Sequence, residues 1–237
     1  MVLSSTKTNL SRPVSPLPVV PPMYSQAVST VALEVPNAFR PRLLEGMAHS
    51  VASKGYADTT VADIVRQAGV SKRTFYECFV TKADCLIALY EAASHNALKL
   101  LREAIDPAHE WQTQIELALA AYLGCMKQNP VLMRTLFIEI LGLGAEGLAA
   151  RRRVNLEISG FMLDVVNGGQ GRAQAQRRPE PPLSAGMAMA IVGGINELIL
   201  EYIEQDRVAA LLELVRPASE LVRAVTHAHG DSGGGAL

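Results

Sequence analysis

The short turn Ala68-Gly69-Val70-Ser71 constrains the fold of this chain more than any other feature of its sequence. Glycine adopts a positive φ at little steric cost, and the small Ala68 allows two helices to approach each other closely. Thr60 and Ser71 belong to the residue types that cap helix N-termini, so a helix is expected to begin after each of them. The sequence therefore predicts two short helices, joined by a tight turn, between Thr60 and Phe79.

A helical pattern of apolar residues continues on both sides of this turn. Leu43, Met47 and Val51 recur every fourth residue and predict a preceding helix that ends at Gly55. Further helices are predicted at roughly 81–105, 110–127, 131–141, 148–166, 184–204 and 206–227. Pro217 is expected to kink the last helix, and residues 168–182 are expected to form a loop. No segment shows the alternation typical of strands, so the predicted fold class is all-α.

The segment from Arg40 to Lys82 is basic, although the whole chain carries a formal net charge of −1. It holds seven Lys and Arg residues against four Asp and Glu residues. A basic segment on a nearly neutral chain is typical of a protein that offers one face to a polyanion such as DNA.

The helix that follows Ser71 is predicted to have a core side and a polar side. Phe75 and Phe79 lie one turn apart and are expected to be buried. Four side chains are then exposed at the start of the helix, where a recognition helix meets base edges and phosphates: Lys72, Arg73, Thr74 and Tyr76. The alternatives are a basic pair that is merely solvated and a tyrosine that belongs to the core.

Composition separates the two ends of the chain from its helical body. Six prolines predict a disordered tail over residues 1–38, and residues 229–237 are predicted to form a second tail. Prolines interrupt the one segment that could serve as a signal peptide, and no run of about 18 apolar residues predicts a membrane span. Three cysteines outside any paired motif indicate a reducing compartment, so a cytoplasmic location is expected.

The run from Thr60 to Lys82 (TVADIVRQAGVSKRTFYECFVTK) resembles the N-terminal signature of the TetR/AcrR family of transcriptional regulators. It has Thr, Ala-Gly-Val-Ser, Thr-Phe-Tyr, Phe and Lys in the order of that signature. Val65 stands where the family usually has a small Ala, and Cys78 stands where it usually has His or Tyr. The resemblance implies a three-helix helix-turn-helix domain over residues 39–84 and a helical effector-binding and dimerisation domain over residues 85–228.

The resemblance also implies a function. It describes a homodimer that binds a palindromic DNA operator, is released by a small molecule, acts as a repressor rather than as an enzyme, and needs no cofactor. Arg73 is then expected to read a base, since arginine pairs bidentately with guanine, and Lys82 to hold the phosphate backbone. The full set of implied DNA contacts is Thr60, Ser71, Lys72, Arg73, Thr74, Tyr76 and Lys82.

Aromatic and methionine side chains of the middle helices are candidates for the lining of an effector pocket, although such residues are more often plain core. Since few charged residues lie among them, an apolar effector is expected. These candidates are Trp111, Tyr122, Met126, Met133, Phe137, Phe161, Met162 and Met187. The last two helices have apolar faces that could form a dimer interface or could bury within their own domain. Their candidate interface residues are Ile191, Ile195, Leu198, Tyr202, Leu214 and Leu221.

Two alternatives of other classes remain open. A redox-sensing regulator on the same fold would use Cys78 and Cys85, provided that a lowered pKa makes a thiol reactive. A helical enzyme or an interaction module is the second alternative, but no nucleophile turn, phosphate-binding glycine loop or supported acidic pair supports it. His227 and His229 lack a third ligand, so no metal site is predicted.

Overall fold

The computed structural model describes residues 35–128, 130–173 and 183–231, and every regular element within these ranges is a helix. Two short 3-10 helices, Glu139–Leu143 and Val208–Leu214, precede the seventh and ninth α-helices. The α-helices in the described ranges are α1 (Val35–Asp58), α2 (Val61–Ala68), α3 (Lys72–Cys78), α4 (Lys82–Glu103), α5 (Trp111–Lys127), α6 (Pro130–Phe137), α7 (Ala145–Ala173), α8 (Ala185–Glu204) and α9 (Val215–Asp231). The predicted all-α fold class is confirmed.

The apolar stripe of α1 forms the centre of the N-terminal core, as its spacing predicts. Leu43, Met47 and Val51 are almost completely buried and pack together with Ile64 of α2 and Phe75 of α3. The first turns of α4 complete this core. Buried residues form one continuous cluster from α1 to α9, so α4 connects the N-terminal core to the helices that follow. The helix-turn-helix thus lies on a rigid connection to the C-terminal helices.

Helix α1 begins earlier than the sequence predicts. Its first residue is Val35, so the last four residues of the predicted tail are helical, and residues 1–34 lie outside the described part of the chain. Pro36 falls in the first turn, where a missing N–H removes no helical hydrogen bond. At the other end Gly55 has φ 79° and ψ 165°, which breaks the regular helix at the predicted residue.

The glycine-rich stretch 142–147 is not the simple linker that its composition indicates. The predicted helix over 131–141 ends at Phe137 in the structure and gives way to the 3-10 helix, which Gly144 ends at φ 64°. Gly147 then lies in the first turn of α7, and a Cβ atom on it would come within 1.9 Å of the Ile140 carbonyl oxygen. Glycine is therefore required here for a close approach between two helical segments.

Two C-terminal predictions are also wrong in detail. Helix α7 runs through Gly168 and Gly169 to Ala173, so the predicted loop begins later, since an interior glycine costs a helix only about 1 kcal/mol. Residues 174–182 lie outside the described ranges. Pro217 falls in the first turn of α9, where proline is tolerated, and it follows a 3-10 helix instead of kinking one long helix. Helix α9 extends to Asp231, two residues beyond the predicted start of the C-terminal tail at 229.

Helix α8 is the one helix in the described ranges that is long and apolar enough to cross a membrane by length and composition. The same test is passed by helices that lie in the cores of soluble proteins. Ile191, Ile195 and Ile199 of α8 are indeed buried inside the protomer, while 39% of its most apolar window is buried in total.

Candidate nucleic-acid interface and effector cavities

The ends of α2 and α3 are fixed by the capping residues that the sequence predicts. The Thr60 hydroxyl accepts a hydrogen bond from the Asp63 N–H (3.2 Å), and the Asp63 carboxylate accepts one from the Thr60 N–H (2.9 Å). Gly69 adopts φ 62° after α2, which is the left-handed conformation that favours glycine. Ser71 accepts a hydrogen bond from the Thr74 N–H (3.1 Å) and so begins α3. The turn geometry is therefore determined locally.

Asp63 connects α2 to α1 through a small ionic network. Its carboxylate oxygens pair with the Lys54 ammonium of α1 and with the Arg66 guanidinium one turn further along α2. The hydrogen bond from Lys54, followed by those from Thr60, holds the pKa of this carboxyl well below its usual range. Asp63 is thus ionised at any pH at which the protein functions, and it orients α2 against α1.

Helix α3 presents its polar side to solvent and buries the opposite side. Phe75 is completely buried, whereas Tyr76 is 58% exposed and meets the Phe75 ring edge-on at a centroid distance of 5.4 Å. Lys72 is exposed, and the Arg73 side chain is 89% exposed with its Nε 2.9 Å from Glu77 Oε1. Hydrogen-bond donors and positively charged groups therefore lie together on one exposed surface, which we call the α3 face (Lys72, Arg73 and Tyr76).

The two remaining hydroxyl groups at this end of α3 interact with each other. The Ser71 and Thr74 hydroxyl oxygens lie 2.9 Å apart, while both residues stand next to the α3 face. The Thr60 hydroxyl lies elsewhere, at the start of α2, and donates to Asp63 Oδ2 (2.6 Å). These three groups serve first as caps, so any DNA contact from them would share an existing hydrogen bond.

Lys82 has an intramolecular role. Its Nζ donates to the carbonyl oxygens of Thr59 (2.8 Å) and Tyr56 (2.9 Å), and it lies 4.1 Å from the centre of the Tyr56 ring. A third carbonyl, that of Ala57, lies 3.5 Å away. Because an ammonium has three N–H donors, these carbonyls can occupy all of them. The structure places Lys82 as a link between α4 and the end of α1, not as a free cation for phosphate.

Sequence reasoning missed two contacts that hold the interface together. A Cβ atom on Gly46 would lie 2.6 Å from the Ile64 carbonyl oxygen, so α1 and α2 approach each other more closely than any side chain at this position allows. Arg42 Nη2 donates to the Gly69 carbonyl oxygen (3.2 Å) and supports the turn. The glycine in an otherwise helical pattern was the available signal for the first contact.

Val65, which stands where the TetR/AcrR signature usually has the smaller Ala, is buried in the same core.

Two adjoining cavities lie among the C-terminal helices. Cavity A, of about 50 Å³, lies between α4, α5, α6 and α7, while cavity B, of about 80 Å³, lies between α5, α7 and α8. Tyr122, Ile158 and Asn196 line both of them and form the wall between them. Burial raises the pKa of the Tyr122 hydroxyl, which is therefore neutral. Both cavities are smaller than the roughly 300–1,000 Å³ of a drug-sized site, so a ligand of that size must move the surrounding helices.

Seven of the eight predicted pocket residues line one or both of these cavities. Cavity A includes Tyr122, Met126, Met133 and Phe137, and cavity B includes Trp111, Tyr122, Phe161 and Met162. Met187 is the exception, since it lines neither cavity and is half-buried near the start of α8. The polar lining of cavity A, which includes Tyr90, Arg151 and Asn155, was missed because only large apolar side chains were considered.

A hydrogen bond connects the segment that follows α6 to the end of α1, next to the helix-turn-helix. Glu139 Oε2 accepts a hydrogen bond from the Tyr56 N–H at 2.7 Å, just after the break in α1 at Gly55. Glu139 directly follows α6, which supplies Met133, Leu136 and Phe137 to cavity A. A displacement of α6 would therefore be transmitted to the segment that Lys82 also contacts.

Residues 43–89 match the family model described as bacterial regulatory proteins, tetR family. This segment contains the helix-turn-helix, the α3 face and the first turns of α4. The helix-turn-helix of this chain is therefore a TetR-family DNA-binding domain.

Curated relatives match this chain at low sequence identity. The fatty acid metabolism regulator protein of Bacillus subtilis is 21% identical over 187 residues, which cover 78% of this chain and 94% of the relative. The nucleoid occlusion factor SlmA of a Marinomonas species is 27% identical over 115 residues, which cover 48% of this chain and 58% of the relative.

Solved structures show the same architecture. The fatty acid degradation regulator FadR of Bacillus halodurans superimposes with a TM-score of 0.61 at 17% identity, over 77% of this chain and 93% of the other. FadR of Bacillus subtilis in complex with stearoyl-CoA superimposes with a TM-score of 0.60 at 21% identity, over 76% of this chain and 96% of the other. At this level of identity the likeness shows the fold.

The predicted class, a DNA-binding transcriptional regulator, is confirmed by the match to the tetR-family model. The redox alternative is not supported. Cys85 is completely buried and its pKa is raised to about 12 by burial, so its thiol stays protonated. Burial also raises the pKa of the Cys78 thiol. The side chains of His227 and His229 lie outside the described residues.

Three of the six candidate interface residues are not available to a partner. Ile191, Ile195 and Leu214 are buried inside the protomer, because the apolar side of α8 packs against the protomer's own helices. The remaining three, Leu198, Tyr202 and Leu221, are half-buried at the edge of this core. The sequence predicts that the most apolar face of α8 is the dimer interface, but this face packs against the core of its own protomer.

Proposed function

We propose that this TetR-family protein is a cytoplasmic repressor that binds a palindromic operator as a homodimer. Each protomer inserts the α3 face into the major groove of one half-site. An apolar ligand that enters cavities A and B releases the dimer from DNA.

The α3 face is the observation that carries the proposal. Lys72, Arg73 and Tyr76 are exposed on a helix whose other side is anchored by the buried Phe75. Arginine on such a helix reads guanine through two hydrogen bonds, whereas lysine and tyrosine hydrogen-bond to phosphate oxygens. The ion pair between Arg73 and Glu77 is open to solvent on both sides, since the two side chains are 89% and 47% exposed, so its loss on DNA binding costs little.

The homodimer is supported by the exposed side of α8. Gly186, Ala190 and Gly193 follow one another at helical spacing and are exposed, and an added Cβ atom on Gly193 would meet nothing within 4 Å. Leu198 and Tyr202 lie at the edge between this exposed side and the buried side of the helix. Small residues allow a second helix to approach closely, and a two-fold dimer matches a palindromic operator.

Release by a ligand is supported by the position of Glu139. A ligand larger than cavity A must displace α6, and Glu139 next to α6 holds the Tyr56 N–H at the base of the helix-turn-helix. A ligand shifts the equilibrium only by its preference for one arrangement over the other. The relative that binds stearoyl-CoA suggests an acyl chain as the apolar part of the effector.

The test is a selection of bound duplexes from random DNA with the full chain, repeated in the presence of decanoyl-CoA and of decanoate. The proposal predicts enrichment of one palindrome, whose half-sites are separated by about one helical turn of DNA. At least one of the two ligands is expected to abolish the enrichment. Recovery of no common sequence would contradict DNA recognition, and a ligand-insensitive palindrome would contradict release.

A further inference from the structure

Arg151 occupies an unusual position for an arginine. It lies in the run Arg151-Arg152-Arg153 on α7, and its sequence context predicts only a solvated basic face. The structure separates the three residues: Arg152 is exposed, and Arg153 pairs with Glu91, its Nη2 2.6 Å from Glu91 Oε1. Arg151 instead lines cavity A.

Within the described ranges, the guanidinium of Arg151 has no counter-ion. No hydrogen bond or ion pair joins it to another residue in the described ranges. No Asp or Glu is found among the described residues that line cavity A or cavity B. A partly desolvated cation without a partner is unfavourable, so this site is electrostatically prepared for an anion from outside the chain.

Neutral hydrogen-bonding groups surround the same end of cavity A. Tyr90, Ser94 and Asn155 line it together with Arg151, and Asn155 accepts a hydrogen bond from Asn196 (3.1 Å). Burial raises the pKa of Tyr90 to about 12, so its hydroxyl keeps its proton. These groups can donate to a carboxylate, which accepts several hydrogen bonds.

Cavity B has the opposite character. Apart from Asn196, the Trp111 indole N–H and the Tyr122 hydroxyl, its described lining is apolar, as in Ile115 and Met162. Because Tyr122, Ile158 and Asn196 line both cavities, a ligand that displaces these side chains can place its polar end in cavity A and its apolar end in cavity B.

We propose that the effector is an amphipathic organic acid whose free carboxylate binds Arg151 in cavity A and whose apolar tail occupies cavity B. This inference rests on the proposed ligand-responsive function and specifies the head group of the ligand. It distinguishes a free acid from its ester or thioester, because only the free acid carries a negative charge next to the tail. The bidentate geometry of arginine with a carboxylate makes this distinction strong.

Trp111 provides a direct readout, because it is the only tryptophan of the chain and lines cavity B. Its fluorescence is titrated with hexanoate, decanoate and phenylacetate, with the methyl ester of each, and with decanoyl-CoA. At least one free acid is expected to bind about 10- to 100-fold more tightly than its ester, the range of a hydrogen bond to a charged group. Arg151→Gln should abolish this preference, Arg151→Lys should keep part of it, and Arg152→Gln should leave it unchanged.

The proposal is overturned if no free acid binds, if each ester binds as tightly as its acid, or if Arg151→Gln behaves like Arg152→Gln. Circular dichroism of each variant shows whether it is folded. Tight binding of decanoyl-CoA that is insensitive to Arg151→Gln would overturn the free acid as effector but leave the proposed repressor intact. Arg151-dependent binding of an acid that does not change DNA affinity would uphold this inference and contradict release of the repressor.

Discussion

The proposed recognition of a DNA sequence depends most on Arg73. Its guanidinium stands almost fully exposed on α3, and its one ionic partner, Glu77, lies on the same helix. The chain contains a close match to this pair on α9, where Arg216 Nε lies 2.9 Å from Glu220 Oε1 and the arginine side chain is also 89% exposed. The two arginines differ in position on the molecule, not in local environment.

Arg73→Ala is expected to relax the preference for one base pair in each half-site. Loss of a bidentate base contact costs about 1–3 kcal/mol of discrimination, or roughly 5- to 150-fold. Arg216→Ala should leave the preference unchanged. The measurement is competition between the selected operator and its single-base variants. An Arg73→Ala protein that discriminates like the unchanged protein would show that another residue reads the base.

Substitutions of Lys72 and Lys82 are expected to affect different properties: DNA affinity for Lys72 and stability for Lys82. Lys82→Met removes hydrogen bonds to the end of α1 and should lower Tm by roughly 3–12 °C, while the dependence of DNA affinity on salt stays the same. Lys72→Met should leave Tm unchanged and reduce the slope of log K against log salt by about one for each protomer, or about two for the homodimer. If Lys82→Met reduced the salt slope and left Tm unchanged, Lys82 would contact DNA phosphate instead of stabilising the fold.

The approach of α1 and α2 decides how the helix-turn-helix is presented. Gly46→Ala should destabilise the protein by about 1–3 kcal/mol and weaken DNA binding, because its Cβ atom would push against the backbone of Ile64. Gly160→Ala in α7 is the matched control, since nothing lies within 4 Å of its added Cβ atom. Chemical denaturation measures both variants. Equal stability of the two variants would show that α1 and α2 can separate without cost.

The sequence predicted individual helices better than the contacts between them. Thr60, Gly69 and Ser71 act through neighbouring backbone atoms, so their effects can be read locally, and the structure places α2 and α3 where they predict. Gly46, Glu139 and the buried side of α8 act through residues that are distant in the chain, and no local pattern reveals them. The end of α7 was predicted wrongly for a similar reason. Gly168 and Gly169 indicate a helix end locally, but the helix continues through them to Ala173.

At the scale of the whole molecule, a two-fold arrangement must place two α3 faces on one side of the DNA. The exposed side of α8 offers the close contact for it, while Ile191 and Ile195 hold the helix in its own protomer. Cavities A and B lie in this same C-terminal part of the chain. In the proposed function, dimerisation and ligand binding therefore act on the helix-turn-helix from the same group of helices.

Gly193→Arg should convert the dimer into a folded monomer and weaken operator binding by at least about 100-fold. The added side chain meets no atom of its own protomer within 4 Å of its Cβ, so folding is preserved, but a partner helix can no longer approach closely. Gly160→Arg is the control on α7. Light scattering gives the mass of each variant, and a dimeric Gly193→Arg protein would exclude this side of α8 from the interface.

The most direct test of the central claim is a titration of the selected operator with the full chain over a series of salt concentrations. DNA reading by the α3 faces of a homodimer predicts two chains per duplex and a linear fall of log K with log salt. It also predicts binding at least about 1,000-fold tighter than to a scrambled duplex of equal length. One chain per duplex, or equal affinity for the operator and the scrambled duplex, would contradict the claim.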